Sequence, residues 1–327
     1  MKKPLLAITL TIPLLYGVAQ ACTVAAYTNG DVALSMRTMD WYGNDEGIVI
    51  GSGQGIVNTY SKNTGFTAKA KYASLKIKSF APGLVAAALN EKGLEGHMLY
   101  LSTDSGTEFQ QSGKGKKNVD AANLIRFAID NFASVPEVIE ALQSINVIGT
   151  KICNIPGHIN ECIYPPVHYM YSDAQGNTAV VEYIKGNLVV HTGPGSNVMS
   201  NDPKFEYHLS QDVDKVEPNG TIRAADRRLR AKQVIDDMYK RNVTNLTEAK
   251  ISLKAAGATV FSGLNQLDPY VNQIYPTLWT SYMDRHNGTL TLERHDTWAA
   301  EQYNFSMFNK ALAQEIKLGS HPFYKSN

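Results

Sequence analysis

The sequence predicts an α+β fold in which stacked, mainly antiparallel sheets are covered by helices. Three observations lead there. Runs rich in β-branched and aromatic residues recur between short turn-forming segments, helical stretches come in grouped blocks, and no strand-helix alternation of the doubly wound kind is present. No internal repeat or Pro/Gly/Ser-rich linker divides the chain, so one domain over 22–327 is expected.

Ahead of that domain, Lys2 and Lys3 lead into an apolar run from Leu5 to about Val18, followed by Ala19-Gln20-Ala21. This is the layout of a secretory signal with an A-x-A cleavage site, so removal of residues 1–21 and a periplasmic or secreted location are expected. The run is shorter than the ~20 residues of a spanning helix, and no comparable run follows, so no stable membrane insertion is expected. Cleavage after Ala21 leaves Cys22 a free α-amine. Lipoprotein processing would instead acylate that residue and make the chain a tethered binding protein. Ala19 and Gln20 do not match the branched and small residues that lipoprotein signals favour at those positions.

The first predicted element is a hairpin. "TVAAYT", then Asn29-Gly30, then "DVALSMRTMDW" reads as strand, type I′ turn, strand, with both turn residues at positive φ. At ~3.3 Å per residue the return strand matches the outgoing one and carries Arg37 and Asp40 back past Cys22. Further strands follow in "GLVAAALNEKGLEGHMLYL", broken at Asn90-Glu91-Lys92-Gly93. Others lie in "VHYMYSDAQGNTAVVEYIKGNLVVHTG", broken at Gln175-Gly176-Asn177 and Lys185-Gly186-Asn187, and around Asn287-Gly288. Helices are predicted from Asp120 to Phe132 and from a Ser134 cap with Pro136 and Glu137 in the first turn. A long helix over Ala224 to Arg241 carries Leu229, Val234, Ile235 and Met238 on one side and its arginines largely on others. A final helix over 247–257 is expected to stop at Gly257.

Composition narrows the partner. Lys plus Arg number 31 and Asp plus Glu 30, a net charge of +1, so there is no basic field for nucleic acid and a small molecule is the expected partner. Of the three cysteines, Cys153 and Cys162 flank the turn-rich "NIPGHINE". In an oxidising compartment a loop disulfide between them is the favoured reading, ahead of two free thiols. A zinc site with His158 ranks below both, since it would need a fourth ligand from elsewhere. No metal or organic cofactor is expected.

A free N-terminal cysteine holds a nucleophile and a base on one residue. Its amine has an ordinary pKa of ~8 and its thiol one of ~8.5. The amine can take the thiol proton and later pass a proton to a leaving amine, with no histidine needed. A guanidinium at Arg37 favours thiolate over thiol.

These residues resemble a known family. "CTVAAYTNGDVALSMRTMDW", with Cys-x14-Arg-x2-Asp, is similar to the start of the choloylglycine hydrolases, cysteine members of the N-terminal nucleophile (Ntn) hydrolases. "LNEKGLEGHMLYL", "HYMYSDAQGNTAVVEY", "NVMSNDPKFEYHL" and "DRRLRA" resemble later segments of the same family. The resemblance implies an αββα sandwich, a homotetramer and hydrolysis of a linear amide. By the same resemblance Cys22 is the nucleophile, Arg37 the basic residue beside it, and Asp40 the carboxylate holding the amine. Asn201 and the backbone N–H of Tyr100 become oxyanion donors. The late arginine falls on Arg227, with Arg228 and Arg230 as neighbours in an open register. An exported chain with Tyr100, and with Trp41 as an aromatic wall, resembles Gram-negative penicillin V acylases and N-acyl homoserine lactone acylases. Bile salt hydrolases are the alternative.

Overall fold

The computed structural model describes residues 22–41, 45–79, 84–112, 115–155, 158–268 and 273–322. The signal-like segment 1–21 lies outside the described residues.

In chain order the strands of the two large sheets are β1 (Thr23–Asn29), β2 (Val32–Asp40), β3 (Glu46–Ser52), β4 (Ser74–Lys78), β5 (Val85–Asn90), β6 (Glu95–Tyr100) and β7 (Val167–Ser172). They continue with β8 (Thr178–Ile184), β9 (Asn187–Thr192), β10 (Val198–Ser200), β11 (Thr277–Asp284), β12 (Thr289–Arg294), β13 (Ala300–Asn304) and β14 (Glu315–Pro322). One sheet has six strands in the order β10-β1-β2-β11-β12-β13, the other eight in the order β9-β8-β7-β6-β5-β4-β3-β14. Every pairing within them is antiparallel. The helices are α1 (Leu124–Asn131), α2 (Val135–Ser144), α3 (Phe205–Val213), α4 (Ala224–Lys240) and α5 (Leu246–Thr259).

The period-2 alternation of the strands separates three apolar layers. Val24 and Met39 of the six-stranded sheet meet Leu75, Ala87, Leu99 and Val180 of the other in a central layer. Ala25, Tyr27, Leu34 and Met36 face outward, onto Ala231 and Ile235 of α4 and Leu253 of α5. The far face of the eight-stranded sheet packs Ala88, Tyr169 and Val181 against α1 and α2. The result is the expected αββα sandwich.

Local geometry departs from expectation at three places. The β1–β2 loop is Gly30-Asp31 rather than Asn29-Gly30, since Asn29 pairs with Val32. Only Gly30, at φ +57°, takes positive φ in that loop, the glycine-first pattern of a type II′ turn. The register therefore slips by two residues, which preserves the faces, and Arg37 still shares a face with Cys22. Gly257 does not end α5. It lies within the helix, where an added Cβ would sit 3.2 Å from the Tyr282 hydroxyl, so the glycine allows close packing on β11. The arginines of α4 are not a solvated face, because Arg227 and Arg228 are both fully buried. Elsewhere Ser134 caps α2 by accepting from the Glu137 N–H. Lys185 and Gly186 both take positive φ between Ile184 and Asn187, as a type I′ hairpin requires.

Candidate active site

Four strand ends and one helix converge at Cys22. The residue opens β1, which is sandwiched between β2 and β10, so Met39 comes opposite it on one side and Asn201 follows Ser200 on the other. Cys22 is 5% exposed, and its neighbours Arg37, Asp40, Asn201 and Arg227 are fully buried.

Arg37 reaches the thiol from β2, with Nη2 3.9 Å from Cys22 Sγ. The same nitrogen lies 3.7 Å from Met39 Sδ and donates to the Met98 carbonyl at 3.3 Å, while the guanidinium stacks 4.7 Å from the Trp279 ring centre. Its Nε and Nη1 have no hydrogen-bond partner, and among the described residues it pairs with no carboxylate. A buried cation without a bonded ion-pair partner is costly, and Asp45 and Asp40 offset that cost here through space rather than by contact. Here it faces a sulfur and is relieved by negative charge forming there.

Burial nevertheless pushes the Cys22 thiol above its ordinary value, with Arg37 pulling it back only in part. The resting sulfur therefore holds its proton. The same desolvation favours the neutral form of an amine. A thiol beside a neutral amine is the protonation state in which the amine can act as base.

Asp40, one residue beyond Met39, faces the opposite side of β2 and meets α4. Arg227 Nη1 bonds Asp40 Oδ2 at 2.5 Å, and Arg227 Nη2 donates to Ser200 Oγ at 3.4 Å. Burial raises the Asp40 carboxyl to about 6, against the lowering effect of Arg227, Thr277 and Arg37. Of the three neighbouring arginines, Arg227 is the one that meets Asp40. Arg228 instead forks onto Asp212 of α3 at 2.8 Å through both terminal nitrogens, and Arg230 bonds the Thr259 carbonyl at 2.7 Å.

The Cys22 nitrogen donates to Asn201 Oδ1 rather than to Asp40. In the structure this nitrogen is a peptide nitrogen with one hydrogen, which Asn201 takes. Asn201 Nδ2 donates to the Tyr100 carbonyl at 3.0 Å, so both ends of the side-chain amide are held. An amide nitrogen carries two hydrogens, and this bond uses one. Behind it, His208 Nε2 donates to the Asn201 carbonyl at 3.0 Å, and burial holds that histidine down at about 3, neutral. Trp41 is buried at the end of β2, its N–H bonded to the Pro276 carbonyl at 3.2 Å, in the same apolar layer as Cys22, Met39 and Leu99.

Cys22, Arg37, Asp40, Asn201, Tyr100, Arg227 and Trp41 are thus gathered at one end of the sandwich. Cys153 and Cys162 lie elsewhere in the chain, on a two-stranded ribbon (Ile152–Ile155 with His158–Ile163), where they are opposite partners joined as a disulfide. The His158 side chain lies outside the described residues. Among the described residues no cluster of His, Cys, Asp and Glu is arranged to hold a metal ion.

Sequence reasoning missed Ser200, which donates to the Cys22 carbonyl at 2.8 Å, and the whole of α3, which supplies His208. Ser200 sits in the quoted "MSNDP" segment, and its pairing with β1 is the one signal that would have singled it out.

Taken together, the geometry offers a thiol at the start of a strand, a cation beside it, a carboxylate-guanidinium pair nearby and a side-chain amide bonded to its nitrogen. That is the equipment for acyl transfer through a thioester.

Residues 22–230 match the model of the linear amide C-N hydrolases, choloylglycine hydrolase family. A penicillin V acylase of Pectobacterium atrosepticum is 28% identical over 297 residues, 82% of this chain and 76% of that protein. A bile salt hydrolase/transferase of Clostridium perfringens is 32% identical over 130 residues, 38% of this chain and 36% of that one. Among solved structures, a conjugated bile acid hydrolase variant from Clostridium perfringens superposes with a TM-score of 0.77 at 21% identity, covering 94% of this chain and 99% of the other. Penicillin V acylase from Agrobacterium tumefaciens does so with a TM-score of 0.76 at 22% identity, covering 91% and 92%. At these identities the superpositions speak for the fold, the Ntn-hydrolase sandwich. The family match over most of the folded chain settles the wider membership: this protein belongs to the choloylglycine hydrolase family of linear amide C-N hydrolases.

Proposed function

We propose that the mature protein starts at Cys22 and is an acylase of the penicillin V and N-acyl homoserine lactone type, working in the periplasm or outside the cell. The observation that carries the mechanism is the buried Arg37 guanidinium, without a carboxylate partner among the described residues, 3.9 Å from a thiol at the end of a strand. The Cys22 amine removes the thiol proton as sulfur attacks the amide carbonyl. Arg37 stabilises the forming negative charge, and the Asn201 amide with the Tyr100 N–H receives the oxyanion. The C–N bond breaks, the leaving amine takes the proton held by the Cys22 amine, and water activated by that amine hydrolyses the thioester. Asp40, fixed by Arg227, orients the amine.

The substrate reading has two supports. The penicillin V acylase relative aligns over 82% of this chain, whereas the bile salt hydrolase relative aligns over 38%. Cys22 also shares its apolar layer with Met39, Trp41, Leu99 and Leu278, surroundings suited to an aromatic or fatty acyl group. The second reading, bile salt hydrolysis, is favoured by the higher local identity of 32% to a bile salt hydrolase/transferase. A homotetramer is part of the proposal through family resemblance.

Hydrolysis of penicillin V, N-dodecanoyl homoserine lactone and glycocholate by the mature protein and its Cys22→Ser variant tests both readings. Penicillin V or the lactone as best substrate, with turnover lost in Cys22→Ser, is the expected result. Glycocholate as best substrate would overturn the substrate choice. Turnover that survives Cys22→Ser would overturn the mechanism.

A further inference from the structure

We infer that Asp202 is a positioning residue that locks the two proposed oxyanion donors to one another; the inference rests on the reading of Cys22 as nucleophile. Asn201 and Tyr100 are 101 positions apart, Asn201 at the end of β10 in one sheet and Tyr100 in β6 of the other, and Asn201 Nδ2 donates to the Tyr100 carbonyl at 3.0 Å. A hydrogen bond of this kind fixes a distance but leaves rotation about it. Asp202 adds a second attachment next to it, since its Oδ1 accepts from the Ser102 N–H at 2.9 Å, from Ser102 Oγ at 2.7 Å and from Ser105 Oγ at 2.7 Å.

Those three donors all belong to the turn that β6 enters immediately after Tyr100. Ser102 is also the cap of the short 3-10 turn Thr103–Ser105, its hydroxyl accepting from the Ser105 N–H. A carboxylate is a stronger acceptor than a neutral group, so it can gather a backbone N–H and two hydroxyls on one oxygen. The consecutive residues Ser200, Asn201 and Asp202 therefore divide the work. Ser200 holds the Cys22 carbonyl, Asn201 holds the Cys22 nitrogen and Tyr100, and Asp202 holds the backbone two residues beyond Tyr100. The Tyr100 N–H and the Asn201 amide then keep a fixed separation as charge develops on the substrate oxygen.

The test compares Asp202→Ala and Asp202→Asn with the wild type, using whichever of penicillin V, N-dodecanoyl homoserine lactone and glycocholate the wild type hydrolyses fastest. Alkylation of Cys22 by iodoacetamide runs in parallel. Alkylation displaces iodide and builds no carbonyl oxyanion, so it reports the thiol but not the donors. Misplacing catalytic groups by about 1 Å costs on the order of 100-fold. Asp202→Ala is expected to lower kcat about 10- to 100-fold with KM within about threefold, and to leave the alkylation rate within about threefold. Asp202→Asn, which keeps an accepting oxygen, is expected to recover most of the loss. Wild-type kcat in Asp202→Ala would overturn the inference. So would equal losses in hydrolysis and alkylation, or an Asn variant no better than Ala. Activity persisting in Cys22→Ser would instead remove the reading beneath it, a separately visible outcome.

Discussion

Replacing Asn201 by Ala separates two consequences that the structure keeps in one side chain. The side chain is fully buried and makes two bonds, from the Cys22 nitrogen to Oδ1 and from Nδ2 to the Tyr100 carbonyl. Deleting it removes the acceptor of the buried Cys22 nitrogen, and an unsatisfied buried polar group costs about 1–3 kcal/mol. For a domain of this size about 1 kcal/mol lowers Tm by about 2 °C, so a fall of several degrees is expected. Catalysis suffers more, because loss of one oxyanion donor costs about 100- to 1000-fold in kcat, or about 2.7–4 kcal/mol of barrier. Binding of the ground-state amide does not use that donor, so KM should stay within a few-fold. The assay is steady-state hydrolysis far below Tm, normalised to titrated Cys22 thiol. Asn201→Asp is the companion variant, since it keeps an acceptor for the Cys22 nitrogen while deleting the donor, and it should be at least as slow as Ala. A kcat within threefold of wild type in the Ala variant, at full thiol titre, would refute the assignment.

Two further predictions follow from the buried charges. Asp40 is raised from 3.8 to about 6, so it gains a proton as pH falls through 6, losing its ionic hold on Arg227 and, in the proposed mature enzyme, on the amine. The acid limb of kcat/KM should therefore fall near pH 6 and disappear from the residual activity of Asp40→Asn. The sign for stability is opposite: a carboxyl raised on folding contributes stability at low pH that is lost as pH rises through about 6, so this limb should appear without a matching loss of Tm. Arg227→Ala, which leaves Asp40 buried and unpaired, should cost about 3–5 kcal/mol and most activity. Arg230→Ala, which loses bonds to the Thr259 and Asn219 carbonyls, should cost about 1–2 kcal/mol and leave kcat unchanged, as urea unfolding and kinetics on the same samples would reveal.

The parts of the molecule that were legible in the sequence are those set by local pattern. Turn residues placed the β1–β2 and β8–β9 hairpins, and the two-residue slip at Gly30 left every side chain on its expected face. Ser134 announced α2 because its cap bond is made within three residues. Helix α3 was not announced. Its N-cap is Lys204, which makes no side-chain cap bond, and only Phe205 and His208 of its nine residues are buried. The site was legible through resemblance, with Cys22, Arg37 and Asp40 carried by one short hairpin. The bonds that complete it join residues such as Cys22 and Asn201, 179 positions apart, and no local signal reports such a pairing. Likewise, adjacent arginines in "DRRLR" have no sequence mark telling which meets Asp40. That choice depends on the angle at which α4 crosses β1 and β10, a property of packing.

The most direct measurement is intact mass and amine labelling of the protein recovered from its producing cells, coupled to amide hydrolysis by the wild type and Cys22→Ser. The account predicts a chain that begins at Cys22 with a free, unacylated amine, active in the wild type and inactive with serine in its place. A lipidated or uncleaved terminus on active protein, or activity indifferent to the loss of the thiol, would contradict it.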